Sequence, residues 1–123
     1  DIGMPMSILS MPEGTEIAVL EMGMNHFGEI DYVADIAKPN YGIITNIGIS
    51  HIEFLGSQEG ILKAKLELVP HIQPGGTLFL NGDDPLLYGM KDHLSVNTEY
   101  FGFEEHNDAR VLDLSLTPQA QRK

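Results

Sequence analysis

Two side chains that could bind a divalent cation follow two apolar segments of the sequence. Glu21 comes directly after the apolar run 17–20, and His51 follows the apolar segment 41–47. A carboxylate oxygen and an imidazole nitrogen can both bind a divalent ion, and Mg²⁺ often takes only one or two protein ligands when phosphates and water complete its shell. The alternatives are a solvated strand-end carboxylate for Glu21 and a loop histidine bonded to backbone for His51.

One lysine shares the apolar face of a predicted helix. In the helix expected after Ser57, Lys65 lies on a stripe with Ile61 and Leu68, at spacing i, i+4, i+7. Lys63 points about 160° away from it on a 3.6-residue turn. Partial burial lowers the pKa of an amine, which is the usual route to a reactive lysine. Periodicity alone favours a packed stem with its charge in solvent.

The surrounding elements can be predicted from apolar runs, capping residues and prolines. Strands are expected at 17–20, 41–47 and 77–80, and helices from residue 29 to the proline at 39, from 57 to about 69 and from 85 to about 91. Such alternation predicts an α/β fold with a three-layer, mostly parallel sheet. Residues 97–103 and 109–116 alternate like strands, which would extend the sheet or form a small antiparallel region near the C-terminus.

Polar side chains follow each of the first three predicted strands. They are Glu21 after the first strand, Asn46 and His51 after the second, and Asn81, Asp83 and Asp84 after the third. Ligands of parallel α/β sheets bind beyond the carboxyl ends of the strands. The sequence therefore predicts a functional site at one edge of the sheet.

Composition excludes several classes of function. The 123 residues suit one domain, and 18 acidic against 7 basic residues give a net charge of −11. That charge argues against binding nucleic acid or an anionic membrane. The chain contains no Cys and no apolar run long enough for a membrane span, so a cytoplasmic location is expected.

A phosphate-binding loop of the Walker type is not found in the sequence. Gly23 and Gly28 have the required spacing, but Glu29 and Ile30 follow where Lys and Ser or Thr are needed. This glycine pair therefore cannot hold a triphosphate by the Walker mechanism.

Three segments in this order resemble the central domain of the Mur ligases: EMGMNHFGEID at 21–31, ITNIGISHIEFLGSQEGILKAKLEL at 44–68 and NGDDP at 81–85. The resemblance covers roughly residues 1–116. It implies a P-loop NTPase-like fold and an ATP-dependent amide-bond synthesis, in which an amine attacks an acyl phosphate. The first segment narrows the implied substrates to UDP-N-acetylmuramoyl-tripeptide and D-alanyl-D-alanine.

The resemblance also implies roles for single residues. Glu21 and His51 match magnesium ligands, and Lys65 matches a lysine that is carbamylated and helps bind a second Mg²⁺. Positions that bind ATP near its base and ribose are matched by Asn81, Asp83 and Asp84. Positions near the phosphates or the substrate are matched by Asn46, Asn25 and His26.

The resemblance further implies that the chain is part of a longer enzyme. The phosphate loop is expected before Asp1, and the domains that bind the UDP-sugar and close over ATP are expected outside the chain, with 118–123 leading away from it. The chain alone is expected to be inactive, and the whole ligase to be monomeric. A folylpolyglutamate synthase-like ligase and a non-catalytic scaffold domain are the alternatives, and a G-x-x-G-K-[ST] pattern upstream would favour the ligase.

Overall fold

Four parallel strands form one sheet in the computed structural model, which describes residues 3–117. The strands are β1 (Tyr41–Ile44), β2 (Thr77–Asn81), β3 (Asn97–Gly102) and β4 (Ala109–Arg110), and they lie side by side in that order. The expected α/β class is confirmed. The predicted end segment 118–123 lies outside the described residues.

Helices fill most of the connections. They are α1 (Gly3–Leu9), α2 (Glu29–Ala37), α3 (Ile52–Leu55), α4 (Gln58–Lys65), a 3₁₀ helix (Leu66–His71) and α5 (Pro85–Tyr88). The three predicted helices are confirmed, whereas α3 lies in a segment that was expected to be a loop. None of the helices within 3–117 has the length and apolar character needed to cross a bilayer.

Two helix starts follow from local sequence chemistry. The Ser57 hydroxyl accepts a hydrogen bond from the backbone N–H of Gly60, so Ser57 caps α4 as predicted. Pro85 occupies the first position of α5, where its missing N–H costs no hydrogen bond. Both helices therefore begin where the sequence predicts.

The core lies between the sheet and the helices. Leu78 and Leu80 of β2 are fully buried, and they belong to the same apolar cluster as Ile61 of α4 and Leu68 of the 3₁₀ helix. The predicted stripe on α4 is thus confirmed, with Lys65 half-buried beside it. Burial of this stripe fixes α4 and the 3₁₀ helix against the sheet.

The strand predicted at 17–20 is wrong. This segment adopts no strand and pairs with none of the four strands in the described part of the chain. Its apolar side chains are largely in solvent, with Ile17 83% and Val19 93% exposed. Apolar residues favour a strand only where another strand can pair with their backbone, and within 3–117 none does so. Glu21 therefore lies in an irregular segment and not at a strand end.

Of the two alternatives for the segments near the C-terminus, extension of the sheet is confirmed and the small antiparallel region is wrong. Strand β4 pairs with β3 in parallel, with Phe101 opposite Ala109 and Gly102 opposite Arg110. Alternating side chains indicate which face of a strand is buried but carry no information about its direction. The connection 103–108 carries the chain back to the level of Phe101, and β4 then runs in the same direction as β3.

Gly82→Ala should destabilise the fold because a methyl group at Gly82 would overlap the side-chain oxygen of Asn107. Asn107 is buried and held by two hydrogen bonds from its amide nitrogen, so it cannot move aside freely. We expect the free energy of unfolding in urea to fall by about 1–3 kcal/mol.

Gly23→Ala is the matched control, since a methyl group there would meet no atom within 4 Å. It should change the free energy of unfolding by less than about 0.5 kcal/mol. Equal stabilities of the two variants would contradict the packing described around Gly82.

Candidate functional site

The segment 45–47, directly after β1, receives three of the side chains that were predicted to form the site. Lys65 Nζ donates to the carbonyl oxygen of Asn46 at 2.6 Å, and Asn81 Nδ2 donates to the preceding carbonyl at 2.9 Å. The next backbone N–H donates to Asp84 Oδ2 at 2.9 Å. The carboxyl ends of β1 and β2 and the end of α4 therefore meet at one edge of the sheet. The prediction included a third strand end, at Glu21, and that part is wrong because 17–20 adopts no strand.

The amine of Lys65 is partly removed from solvent at this edge. Burial lowers the pKa of its ammonium group, and the negative charge of Asp84 opposes that shift. The side chain is half-buried beside the apolar stripe of α4, with Nζ directed to a backbone carbonyl. A lowered pKa increases the fraction of neutral, nucleophilic amine at a given pH.

Asp84 links the strand ends to α5. Its Oδ1 accepts from the backbone N–H groups of Leu86 at 3.0 Å and Leu87 at 3.4 Å, so it caps α5. Its other oxygen accepts from the backbone of residue 47. Asp84 thus bridges two segments of the sheet edge.

Asp83 is directed away from that bridge, toward the connection 103–108. It accepts from the backbone N–H of Phe103 at 2.8 Å, from that of Glu104 at 3.0 Å and from Asn107 Nδ2 at 2.8 Å. These bonds, with that from Phe103 the largest cause, hold the pKa of the Asp83 carboxyl below its ordinary value. Asp83 therefore ties the end of β2 to the connection 103–108.

Asn25 and His26 lie in an exposed loop that Glu29 organises. Glu29 accepts from the backbone N–H of Asn25 at 2.6 Å, and its other oxygen lies 3.3 Å from His26 Nδ1. The bond from Asn25 is the main reason that the pKa of Glu29 is lowered. The His26 ring packs against Phe54 of α3 with 4.7 Å between ring centroids. The loop is thereby placed beside the short helix that begins after His51.

The two predicted metal ligands lie in different surroundings. His51 precedes α3 with a left-handed backbone, φ 65°, and is exposed. Glu21 is exposed and lines a cavity of about 270 Å³ together with Ser7 of α1 and Val33 of α2. Across residues 3–117 no three His, Cys, Asp or Glu side chains lie close enough to hold a metal ion together. A site with one or two such ligands remains compatible with Mg²⁺.

Glu67 is a residue of this region that the sequence did not reveal. Its carboxylate accepts from the backbone N–H groups of Gly28 and Asp31 at the start of α2. The two partners are 39 and 36 residues away in the chain. No local pattern in the sequence reports a contact of that kind.

Comparison with known proteins places the chain in a family. Residues 1–123 match the family model of the Mur ligase middle domain. The chain belongs to the Mur ligase family. This confirms the resemblance carried by the three segments.

Within the Mur ligases, the chain is similar to enzymes that share one name. The chain is 48% identical over 118 residues to the UDP-N-acetylmuramoyl-tripeptide--D-alanyl-D-alanine ligase of Bacillus subtilis, covering 96% of the chain and 25% of the relative. It is 45% identical over 87 residues to the Synechocystis enzyme of the same name, covering 71% of the chain and 19% of the relative. The chain thus spans about a quarter or less of these relatives.

Solved structures show the same fold. A crystal structure of MurF from Acinetobacter baumannii matches with a TM-score of 0.84 and 34% identity, over 96% of this chain and 26% of that one. MurF ligase from Thermotoga maritima, solved in complex with ADP, matches with a TM-score of 0.81 and 34% identity, over 94% and 27%. The Mur ligase central fold is therefore present in this chain.

Asp83→Asn should remove part of the pH dependence of stability. Because the pKa of Asp83 is lowered in the folded state, its stabilising effect is fully present above its ordinary pKa of 3.8 and is lost as the pH falls through the folded value. The free energy of unfolding of the wild type should exceed that of the variant near neutral pH, and the two should converge as the pH falls through the lowered pKa of the folded state.

Asp113→Asn, in the exposed segment 111–117, is the control for the change in charge, and near neutral pH its free energy of unfolding should stay within about 0.5 kcal/mol of the wild-type value. A difference between wild type and Asp83→Asn that stays constant down to strongly acidic pH would contradict the described role of the carboxylate.

Proposed function

We propose that this chain is the central part of an ATP-dependent ligase that joins D-alanyl-D-alanine to UDP-N-acetylmuramoyl-tripeptide in peptidoglycan precursor synthesis. The observation that carries the proposal is the half-buried Lys65 amine at the carboxyl edge of the sheet. The named relatives, which are ligases for these substrates, support it. Their similarity favours this reaction over that of a folylpolyglutamate synthase.

The proposed reaction has two steps. A carboxylate oxygen of the tripeptide bonds to the γ-phosphorus of ATP while the bond to ADP breaks. The amine nitrogen of D-alanyl-D-alanine then bonds to the acyl carbon, inorganic phosphate leaves, and the nitrogen loses a proton. The first step brings an anionic carboxylate to the anionic γ-phosphate, and the chain itself is strongly acidic, with a net charge of −11. Cations at the sheet edge are therefore needed to make transfer favourable.

Lys65 fits a carbamylated lysine on chemical grounds. Carbamylation forms a bond between a neutral amine nitrogen and the carbon of CO₂ with loss of a proton, and burial increases the neutral fraction of this amine. The product would present anionic oxygens to a cation. Glu21 and His51 would hold one Mg²⁺ and the carbamate would help to hold a second, and these ions would supply positive charge to neutralise the transferred phosphoryl group.

The other predicted residues are proposed to surround ATP and the substrate. Asn81 and Asp84, at the ends of the strands, would lie toward the base and ribose of ATP, and Asn46 toward the phosphates. Asp83 would act there by holding the connection 103–108 in place. Asn25 and His26 would face the substrate from their exposed loop. The whole ligase is proposed to act in the cytoplasm as a monomer.

Lys65→Ala in the full-length ligase should lower kcat for ligation at least about 100-fold, since it removes both the amine and the proposed cation ligand. The fold should remain intact because Ala suits a helix face. The measurement is release of phosphate that depends on D-alanyl-D-alanine.

Lys63→Ala is the matched control, because Lys63 is an exposed lysine of the same helix. It should retain near wild-type turnover. Near-normal turnover of Lys65→Ala would contradict the proposal that Lys65 is carbamylated.

The chain alone is proposed to be inactive and should show no measurable ATP affinity by calorimetry in the presence of Mg²⁺. The glycine pair at 23 and 28 offers no Walker loop, and the amides of Gly28 and Asp31 already donate to Glu67. The full-length ligase is the positive control. Micromolar binding by the chain alone would show that its own residues suffice to hold the phosphates.

A further inference from the structure

Glu67 caps a helix that is distant from it in sequence. Its Oε2 accepts from the backbone N–H of Gly28 at 2.9 Å, and its Oε1 accepts from Gly28 at 3.1 Å and from Asp31 at 3.3 Å. Helix α2 has Gly28 at its N-cap position, with φ 89° and no side chain to accept from the first turn. Glu67 supplies the missing acceptor, and its negative charge suits the positive end of the helix dipole.

A second contact ties the same two elements together. His71, at the end of the 3₁₀ helix that contains Glu67, has Nε2 at 2.7 Å from Asp31 Oδ1. The His71 side chain is only 18% exposed, whereas that of Asp31 is 63% exposed. The 3₁₀ helix thus holds the first turn of α2 at two points.

These contacts connect the Lys65 region with the loop 23–28. Lys65 is the last residue of α4, and Glu67 follows two positions later in the 3₁₀ helix. Glu67 fixes the start of α2, and Glu29 in that first turn holds Asn25 and His26. The position of the loop 23–28 relative to Lys65 therefore depends on two carboxylates: Glu67, which holds the start of α2, and Glu29, which holds the loop.

We propose that Glu67 is a positioning residue of the ligase: it sets the place of Asn25 and His26 relative to Lys65 without touching the substrate. This inference rests on the proposed function, in which the loop faces the substrate. A cap that served stability alone would leave catalysis unchanged wherever the protein stays folded. The two roles therefore differ in what they predict for activity.

The test compares Glu67→Ala, Glu67→Gln and Glu59→Ala in the full-length ligase. Glu59 is an exposed carboxylate in the first turn of α4, so its removal matches the change in charge. At a temperature where circular dichroism shows every variant folded, Glu67→Ala should lower kcat/KM for the tripeptide substrate about 10- to 100-fold. Glu67→Gln keeps one acceptor oxygen and should fall between Glu67→Ala and the wild type, and Glu59→Ala should stay within about twofold of wild type.

Hydrogen exchange of the loop 23–28 tests the positioning without reference to activity. Exchange of these amides should be at least about tenfold faster in Glu67→Ala than in the wild type, and unchanged in Glu59→Ala. Unchanged exchange, activity equal to that of Glu59→Ala, or a loss that merely follows the unfolded fraction would overturn the inference. A wild-type ligase that forms no amide bond would instead overturn the proposed function, and the exchange result would still decide the positioning role of Glu67.

Discussion

Parallel pairing of β1 with β2 is the constraint on which the site depends. The register places Ile44 opposite Leu80, so β1 ends one residue before β2 at the same edge of the sheet. The chain after β1 then lies beside the side chains that follow β2, and burial of the α4 stripe brings Lys65 to the same edge. The hydrogen bonds between β1 and β2 and the apolar face of α4 together explain why these residues meet at one edge of the sheet.

Carboxylates stabilise the edge by accepting from backbone N–H groups. Asp83, Asp84 and Glu67 each hold the amides of a segment distant in sequence, and together they fix the connection 103–108, the end of β1 and the start of α2. In this acidic chain some carboxylates therefore serve as acceptors for backbone N–H groups. A charged acceptor forms a stronger hydrogen bond than a neutral one. The ammonium group of Lys65 lies at the same edge, where the negative charge of Asp84 attracts it.

Local sequence chemistry predicted the elements that carry local signals. The Ser57 cap, the Pro85 helix start and the buried stripe of Ile61 and Leu68 follow from interactions within one or two turns, and all are confirmed. The segment 17–20 was misassigned because strand formation depends on a partner and not on apolar content. Glu67 was missed for a related reason, since its partners lie 36 and 39 residues away. The resemblance suggested roles for single residues, but the way in which carboxylates hold the loops could be seen only in three dimensions.

The proposed carbamylation of Lys65 is tested most directly by ¹³C NMR of the full-length ligase supplied with ¹³C-bicarbonate. A protein-bound carbamate signal should be present in the wild type and in Lys63→Ala but absent in Lys65→Ala. A wild type without that signal, or a Lys65→Ala variant that retains it, would contradict the claim.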